Sequence, residues 1–400
     1  MEKQTVRDID IRAKRVLIRV DFNVPLDDAG RITDDTRIVK SLETIQYCLT
    51  QNAKLILMSH LGRPKGKPDP QQSLKPTAER LSKLISKKVD LLSDCVGPGV
   101  EKRVREMKPG EVVLLENLRF HAEEEKNDPE FSKKLAALAE IYVNDAFGSA
   151  HRAHASTVGV TQYLPSVAGF LLAKEVAYFN KALENPDRPF VTILGGAKVS
   201  DKIKLISNLL EKADTLLIGG AMAYTFYKVL GIGIGNSKFD PEGEGVAREA
   251  LRKSKEKNVP LILPTDRVIA QKMERGVPTQ LVTGDIPEGW SGFDIGPQTA
   301  KKFNEVLSKA KTVVWNGPLG VCEIPPFDQG TRAVAECVAG LKATTIIGGG
   351  DTAAAIKAFG LETKMSHVST GGGASLEFLE GTVLPGVAGL REKRKTAVTK

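Results

Sequence analysis

Cysteine is scarce. The 400 residues hold four, Cys48, Cys95, Cys322 and Cys337, with no CxxC pair and no Cys/His metal spacing. In a chain this long that usage argues against a disulfide framework or a zinc module and predicts free thiols in a reducing compartment. No apolar run approaches the ~18 residues of a membrane span. The amino terminus, MEKQTVRDID, is charged from its second residue and has no apolar stretch, so no signal peptide is predicted and a cytoplasmic protein is expected. Basic residues are neither clustered nor interleaved with aromatics, which argues against nucleic acid as the main partner. The common phosphate-binding fingerprints are missing too: there is no GxxxxGK(S/T), and Gly231-Ile232-Gly233-Ile234-Gly235 does not make GxGxxG. A dinucleotide dehydrogenase is disfavoured on that ground.

What is present is ordinary in composition and specific in arrangement. Lys+Arg of 57 against Asp+Glu of 49 gives a net charge of +8, a modest excess that suits an anionic substrate. The length favours about two domains. Short β-branched runs alternate with longer helical patterns, the rhythm of a parallel sheet with helices on both faces. Strands are predicted over 15–20, 54–58, 111–115 and 140–143, then over 190–194, 215–218, 260–263, 312–315 and 343–347. Several are apolar almost throughout, as strands buried on both faces should be.

The ends of these runs differ between the two halves. In the first half they stop at Asp21-Phe22-Asn23, Ser59-His60-Leu61-Gly62-Arg63, Glu116-Asn117-Leu118-Arg119 and Asn144-Asp145. In the second half they stop at glycines, in TILGGAK, TLLIGG, TTIIGGGDT and VSTGGGAS. Open parallel sheets hold ligands at the carboxyl ends of their strands. One half is therefore expected to take a compact, densely anionic ligand, and the other a ligand lying against bare backbone. Two ligands and two lobes suggest a transferase, with a phosphate-binding or scaffold protein as the non-enzymatic alternative.

The boundary is expected between 164 and 189. Pro165 is placed to open a helix in which Leu172, Val176, Phe179 and Leu183 form one apolar stripe. The run Glu184-Asn185-Pro186-Asp187-Arg188-Pro189 then breaks it, because each proline removes a donor and fixes φ. That pattern reads as a rigid connector and hinge, or as an ordinary surface helix and loop. The basic tail 391–400 reads as a solvated end.

Arg37, Arg63, Arg119 and Arg152 lie at or after first-half strand ends. Guanidinium groups bind phosphate and carboxylate through paired hydrogen bonds and stay charged at any working pH. An isolated loop arginine is ordinarily a solvated charge, but three of these follow buried-type strands closely. His60, His121, His151 and His154 share this half; His151 and His154 lie three apart in a Gly/Ser/Ala-rich loop with no carboxylate at metal-motif spacing, so polar contact to substrate or plain loop structure is read there rather than metal. Asp21 and Asn23 read as substrate contacts or as caps of the next element. In the second half, glycine pairs leave helix amides open to phosphate, although tight packing uses glycine as well. Lys198 and Lys202, four apart after Gly195-Gly196, invite an anion between them if the helix starts near Ser200 with Ile203, Ile206 and Leu210 inward. Asp351 reads as a helix cap or as an oxygen ligand for a nucleotide's Mg²⁺.

The strings RVDFNVPL (19–26), SHLGRP (59–64), LLENLRF (114–120), VNDAFGSAHRAHAS (143–156), GGAKVSDKI (195–203), WNGPLGVCE (315–323), GGGDTAAA (348–355) and STGGGASLEFLEG (369–381) resemble the phosphoglycerate kinase family, in order and without large insertion. The resemblance implies two Rossmann-like lobes, each a parallel sheet flanked by helices. It assigns 1–164 to a 3-phosphoglycerate-binding domain, 165–188 to the connecting helix and hinge, 189–384 to a nucleotide-binding domain, and 385–400 to a segment returning to the first. It implies phosphoryl transfer between 1,3-bisphosphoglycerate and ADP, giving 3-phosphoglycerate and ATP with Mg²⁺, by a cytoplasmic monomer. By matching positions, Asp21, Phe22, Asn23, Arg37, His60, Leu61, Gly62, Arg63, Arg119 and Arg152 would hold the glycerate ligand. Gly196, Lys202, Gly220, Gly292, Glu323, Gly349, Gly350, Asp351 and Thr352 would hold the nucleotide, with Asp351 on the metal. Arg37, Lys198, Lys202 and Gly372 would meet the transferring group. Leu319 and Cys322 depart from the family's usual choices but keep an apolar wall.

Overall fold

The computed structural model describes residues 2–393, so positions 394–400 of the basic tail lie outside it. The chain divides into two compact units. One is the chain up to Ala177 together with the segment from Val383 onward; the other is Tyr178–Thr382.

The first unit is built on six parallel strands: β1 (Arg15–Arg19), β2 (Lys54–Met58), β3 (Val89–Leu91), β4 (Val112–Leu114), β5 (Ile141–Asn144) and β6 (Ser166–Ala168). Their order is β3-β4-β2-β1-β5-β6. Because side chains alternate along a strand, register decides which residues share a face. The pairs Val16↔Leu55, Ile18↔Leu57, Leu57↔Leu114 and Ile18↔Val143 put β-branched and leucine side chains of four strands on one face. Helices Leu42–Thr50 and Lys75–Ile85 cover that face with Ile45, Cys48, Ala78 and Leu81. Each of the valine, isoleucine and leucine side chains, fully buried, contributes about 1.5–3 kcal/mol. The opposite face is buried too, through Leu17, Ile56, Val113 and Tyr142, but there β1 ends in a buried charge, Arg19.

The short edge strands β3 and β6 were not expected, and Pro165 does not open a helix. Its carbonyl accepts from Tyr142 N at 3.0 Å, and β6 pairs with β5 in extended conformation. The helix starts later, as Phe170–Glu184, because its cap comes from elsewhere in the chain. Asp145 Oδ1 accepts from Leu171 N (2.9 Å) and Leu172 N (3.3 Å), and Thr44 Oγ1 accepts from Phe170 N (2.9 Å). The predicted stripe Leu172, Val176, Phe179 and Leu183 is buried.

The second unit has six parallel strands as well: β7 (Phe190–Leu194), β8 (Thr215–Ile218), β9 (Leu261–Ile262), β13 (Thr312–Asn316), β14 (Thr344–Gly348) and β15 (His367–Val368), in the order β15-β14-β13-β7-β8-β9. Val191, Ile193, Leu217, Val313, Trp315 and Ile347 form its apolar seam. An antiparallel sheet of β10 (Asp266–Ala270), β11 (Gln280–Thr283) and β12 (Ser291–Ile295) adds to the expected parallel lobe. The helix after Gly195-Gly196 begins as a 3-10 turn at Ser200–Lys202 and continues as Ile203–Lys212. Ile206 and Leu210 point inward as expected, whereas Ile203 is exposed, and Leu205 and Leu209 take the buried places instead. Among the described residues no helix is long and apolar enough to cross a membrane.

Candidate active site

In the first unit β1 lies between β2 and β5, and β2 lies beside β4, so the four predicted strand ends adjoin. Short polar links lock them. Ser59 Oγ accepts from Phe22 N (2.9 Å) and donates to the His60 carbonyl (3.0 Å). Asn23 Oδ1 accepts from Gly62 N at 2.9 Å. Asn117 Nδ2 donates to Leu61 O (2.7 Å), and its Oδ1 accepts from Leu61 N (3.2 Å) and Arg119 N (3.1 Å). Arg119, itself buried, donates to Gly62 O at 2.8 Å. Arg37, from the helix Thr36–Lys40, forms an ion pair with Asp21. Arg63 and Arg152 are exposed, and Arg152 Nε lies 3.1 Å from His151 Nε2.

Beneath these groups sits a buried network that the sequence reading missed. Arg19 donates through Nε to Ser156 Oγ (2.8 Å), through Nη1 to the Val20 carbonyl, and through Nη2 to His60 Nδ1 (3.0 Å). Ser156 in turn donates to buried Glu124 from its hydroxyl (2.6 Å) and its amide (2.9 Å). Since arginine has no acceptor, His60 Nδ1 must accept and the ring proton sits on Nε2. Burial, then the charges of Arg19, Arg119 and Arg37, hold His60 well below the usual histidine range. Burial, then the charges of Arg19, Arg119 and Arg152, push His154 down to about 4. Both rings are therefore neutral at neutral pH and act as hydrogen-bonding groups rather than as added charge. Burial raises the Glu124 carboxyl, against the pull of Arg19 and Ser156. The signal for this layer was available: an arginine inside RVLIRV, where every neighbour is apolar.

The second unit presents backbone where the first presents charge. A chamber of about 440 Å³ is walled by Gly196, Gly220, Gly292, Glu323 and Asp351, with Tyr224, Phe293, Leu319 and Val321 as its apolar lining. A second, of about 370 Å³, is walled by Gly196, Lys198, Lys202, Asn316 and Gly349 to Thr352. Gly196, Ala197, Pro318 and Asp351 belong to both walls, so the two spaces adjoin. Only glycine permits this crossing: Gly220 has φ +65°, and a Cβ there would stand 2.6 Å from Gly196 N.

Lys202 is held by Gly195 O (2.7 Å), Asn316 O (3.2 Å) and Asn316 Oδ1 (2.8 Å), which use all three ammonium protons. Burial pushes it down to about 8, against the carboxylates of Asp351 and Asp201. Lys198 is exposed on the same wall. Thr352 Oγ1 accepts from Gly317 N at 2.7 Å, fixing the start of the helix Gly350–Ala358. Asp351, in the first turn of that helix, is exposed and common to both chambers. One carboxylate beside room for phosphates suits Mg²⁺, which keeps waters and takes few protein ligands. Gly372 precedes the short helix Gly373–Leu379 and lines neither chamber. Asn316 and Tyr224 were missed because one closes a strand, β13, that no glycine pair follows and the other lies inside an apolar helix.

Arginine-bearing polar strand ends in one α/β unit and a bare-backbone chamber in the other suit a small-molecule phosphotransferase. A family model described as phosphoglycerate kinase matches residues 6–382. The chain belongs to the phosphoglycerate kinase family, whose reaction is the reversible transfer of a phosphoryl group from 1,3-bisphosphoglycerate to ADP. It is 58% identical over 400 residues to the phosphoglycerate kinase of Fervidobacterium nodosum, covering 99% of this chain and 100% of that one. It is 56% identical to that of Thermosipho africanus, covering 99% of each. Among solved structures, that of phosphoglycerate kinase from Coxiella burnetii aligns with a TM-score of 0.89 at 44% identity, over 97% of this chain and 98% of that one. The enzyme from Pyrococcus horikoshii aligns at 0.84 and 34%, over 98% of each.

Proposed function

We propose that the first unit's strand ends hold 3-phosphoglycerate, that the second unit's chambers hold ATP or ADP, and that the phosphoryl group passes directly between them. The observation that carries this division is the contrast between adjoining strand ends bearing arginines and neutral histidines and a chamber of glycines and apolar walls. Arg63, Arg119 and Arg152 suit the glycerate's phosphate and carboxylate, with Asp21, Asn23 and His60 Nε2–H orienting it. The larger chamber suits a base and ribose, and the smaller one suits phosphates near Lys198, Lys202 and the amides of Gly349 and Gly350.

No nucleophile triad is needed. An acyl phosphate is already activated, and in-line transfer asks for positioning and for positive charge on the equatorial oxygens. Arg37 is assigned to that charge from one side, and Lys198, Lys202 and the Gly372 amide from the other. Mg²⁺, held by Asp351 and the nucleotide, would supply charge neutralisation on the phosphates. Both ligands must meet for transfer, which the resemblance implies happens on domain closure, and exclusion of water then protects the acyl phosphate. The absence of a membrane-crossing helix among the described residues and the monomer implied by the resemblance support a cytoplasmic, monomeric enzyme.

The test is phosphoryl transfer from MgATP to 3-phosphoglycerate, coupled to NADH oxidation through glyceraldehyde-3-phosphate dehydrogenase. Wild type turns over, while Arg37→Ala loses roughly 10²–10³ in kcat with little change in nucleotide affinity, the scale expected for one charge-stabilising donor. Equal kcat in the two proteins would remove Arg37 from the transferring group.

A further inference from the structure

Away from the strand ends that form the proposed site, Asp94, Cys95 and His121 offer one ligand atom each within 4.8 Å of one another. Sequence spacing hid them, because they come from separate segments. Asp94 and Cys95 sit in the turn after β3 and before the helix Pro98–Arg105, while His121 follows the 3-10 turn Leu118–Phe120. The segments are tied together by Glu116 N donating to Asp94 O at 3.4 Å. Two contacts orient the imidazole: Nε2 lies 2.7 Å from Asp94 Oδ1, and the ring stacks on Phe131 with centroids 5.2 Å apart. Cys95 is buried, whereas the side chains of Asp94 and His121 are 47% and 27% exposed, so an ion reaches the group from their side.

We propose that Asp94, Cys95 and His121 form a binding site for a borderline-soft divalent cation of the Zn²⁺ type. A thiolate, an imidazole and a carboxylate fill three of the four positions that such an ion prefers, and a water completes the tetrahedron. Bond lengths of about 2.0–2.3 Å place tetrahedral ligand atoms roughly 3–4 Å apart, so small side-chain shifts seat the ion. Sulfur and nitrogen in the set select against Mg²⁺, which demands six hard oxygens. On capture the Cys95 S–H bond is replaced by a sulfur–metal bond and its proton leaves to solvent. The imidazole takes its remaining proton on Nδ1, so the dication meets two anionic ligands and one neutral one. The bound ion would brace the Asp94–Cys95 turn against the segment carrying Arg119.

The test uses the full chain, stripped by chelator and titrated with Co²⁺ as an optical probe. The expected result is a saturable thiolate-to-cobalt charge-transfer band at a single equivalent, displaced by Zn²⁺ and untouched by excess Mg²⁺. Cys95→Ser abolishes the band, His121→Gln weakens capture by about tenfold or more, since even outer partners of a ligand cost that much, and Cys322→Ser and Cys337→Ser keep it. No band in wild type, or a band surviving in Cys95→Ser, overturns the site. If circular dichroism shows Cys95→Ser misfolded, ¹¹³Cd resonance of the wild-type protein decides. A shift in the range of one sulfur ligand supports the site, and a shift of oxygen and nitrogen ligands alone overturns it.

Discussion

Lys202 carries its charge against the preference of its surroundings. Burial lowers its pKa to about 8, and its three protons are spent on Gly195 and Asn316. Below about 8 the folded and unfolded chains both hold the charge and the burial cost is present in full; above it the folded chain sheds the proton first. A bound phosphate favours the ammonium and raises that pKa, so nucleotide binding just above pH 8 should take up a proton and weaken as pH rises further. Calorimetry of ATP binding in two buffers of different ionisation enthalpy checks this. Lys202→Met should bind more weakly and take up no proton; equal uptake would clear Lys202 of the role. Gly292 is constrained in another way: a Cβ there would collide with the Tyr224 hydroxyl. Gly292→Ala should overpack the larger chamber at roughly 1–3 kcal/mol. The expected outcome is a raised KM for ATP with an unchanged KM for 3-phosphoglycerate. At this scale the sequence was readable wherever a polar cluster interrupted an apolar run, as at Ser59-His60 and Glu116-Asn117. It was unreadable for Glu124 and Ser156, whose meaning depends on Arg19 arriving from a strand more than a hundred residues earlier.

Among elements, the helix Phe170–Glu184 starts on a buried carboxyl. Burial pushes the Asp145 pKa up to about 7, beyond what the Thr44, Leu171 and Leu172 hydrogen bonds can offset. The unfolded chain releases this proton near 3.8 while the folded chain keeps it to about 7, so folding stability is lost as pH rises between those values. A gap of about three units corresponds to a few kcal/mol at ~1.4 kcal/mol per unit. His154 works the other way below its unfolded pKa, so only the difference between two proteins isolates Asp145. Asp145→Asn keeps an oxygen for the helix amides and removes the titration. In urea at pH near 5 and near 8, its stability relative to wild type should rise with pH by a measurable part of that amount; a constant difference would refute the linkage. The same helix shows the limit of pattern reading. Its buried stripe was legible from spacing, but its start was not, because the cap is a carboxyl 25 positions earlier and β6 claims the residues after Pro165. The sheet of β10, β11 and β12 escaped for a related reason: Asp266, Arg267 and Asp294 are buried within its strands and break the apolar signature.

For the molecule as a whole, the first unit is not finished until the chain's last described stretch returns to it. Asn144 Nδ2 donates to Gly386 O (2.9 Å), Gly386 N to Ala150 O (2.8 Å), Arg391 N to Ser166 O (2.9 Å) and Gln4 N to Arg391 O (2.8 Å). Leu384, Val387 and Leu390 are buried there. At about 1.5–3 kcal/mol each, these three side chains bring roughly 5–9 kcal/mol, an upper bound because the unfolded chain is not fully extended. That is comparable to the whole stability of a typical domain, about 5–15 kcal/mol. A chain ended at Thr382 should therefore lower the first unit's calorimetric transition by roughly 10–35 °C, taking about 2–4 °C per kcal/mol for a domain of this size. The second unit, whose strands all lie within Tyr178–Thr382, should keep its own transition and its ATP affinity. Loss of both transitions together would mean that the returning segment stabilises more than the unit it joins, and an unchanged first transition would mean that its three buried side chains contribute nothing that the rest of the unit does not supply.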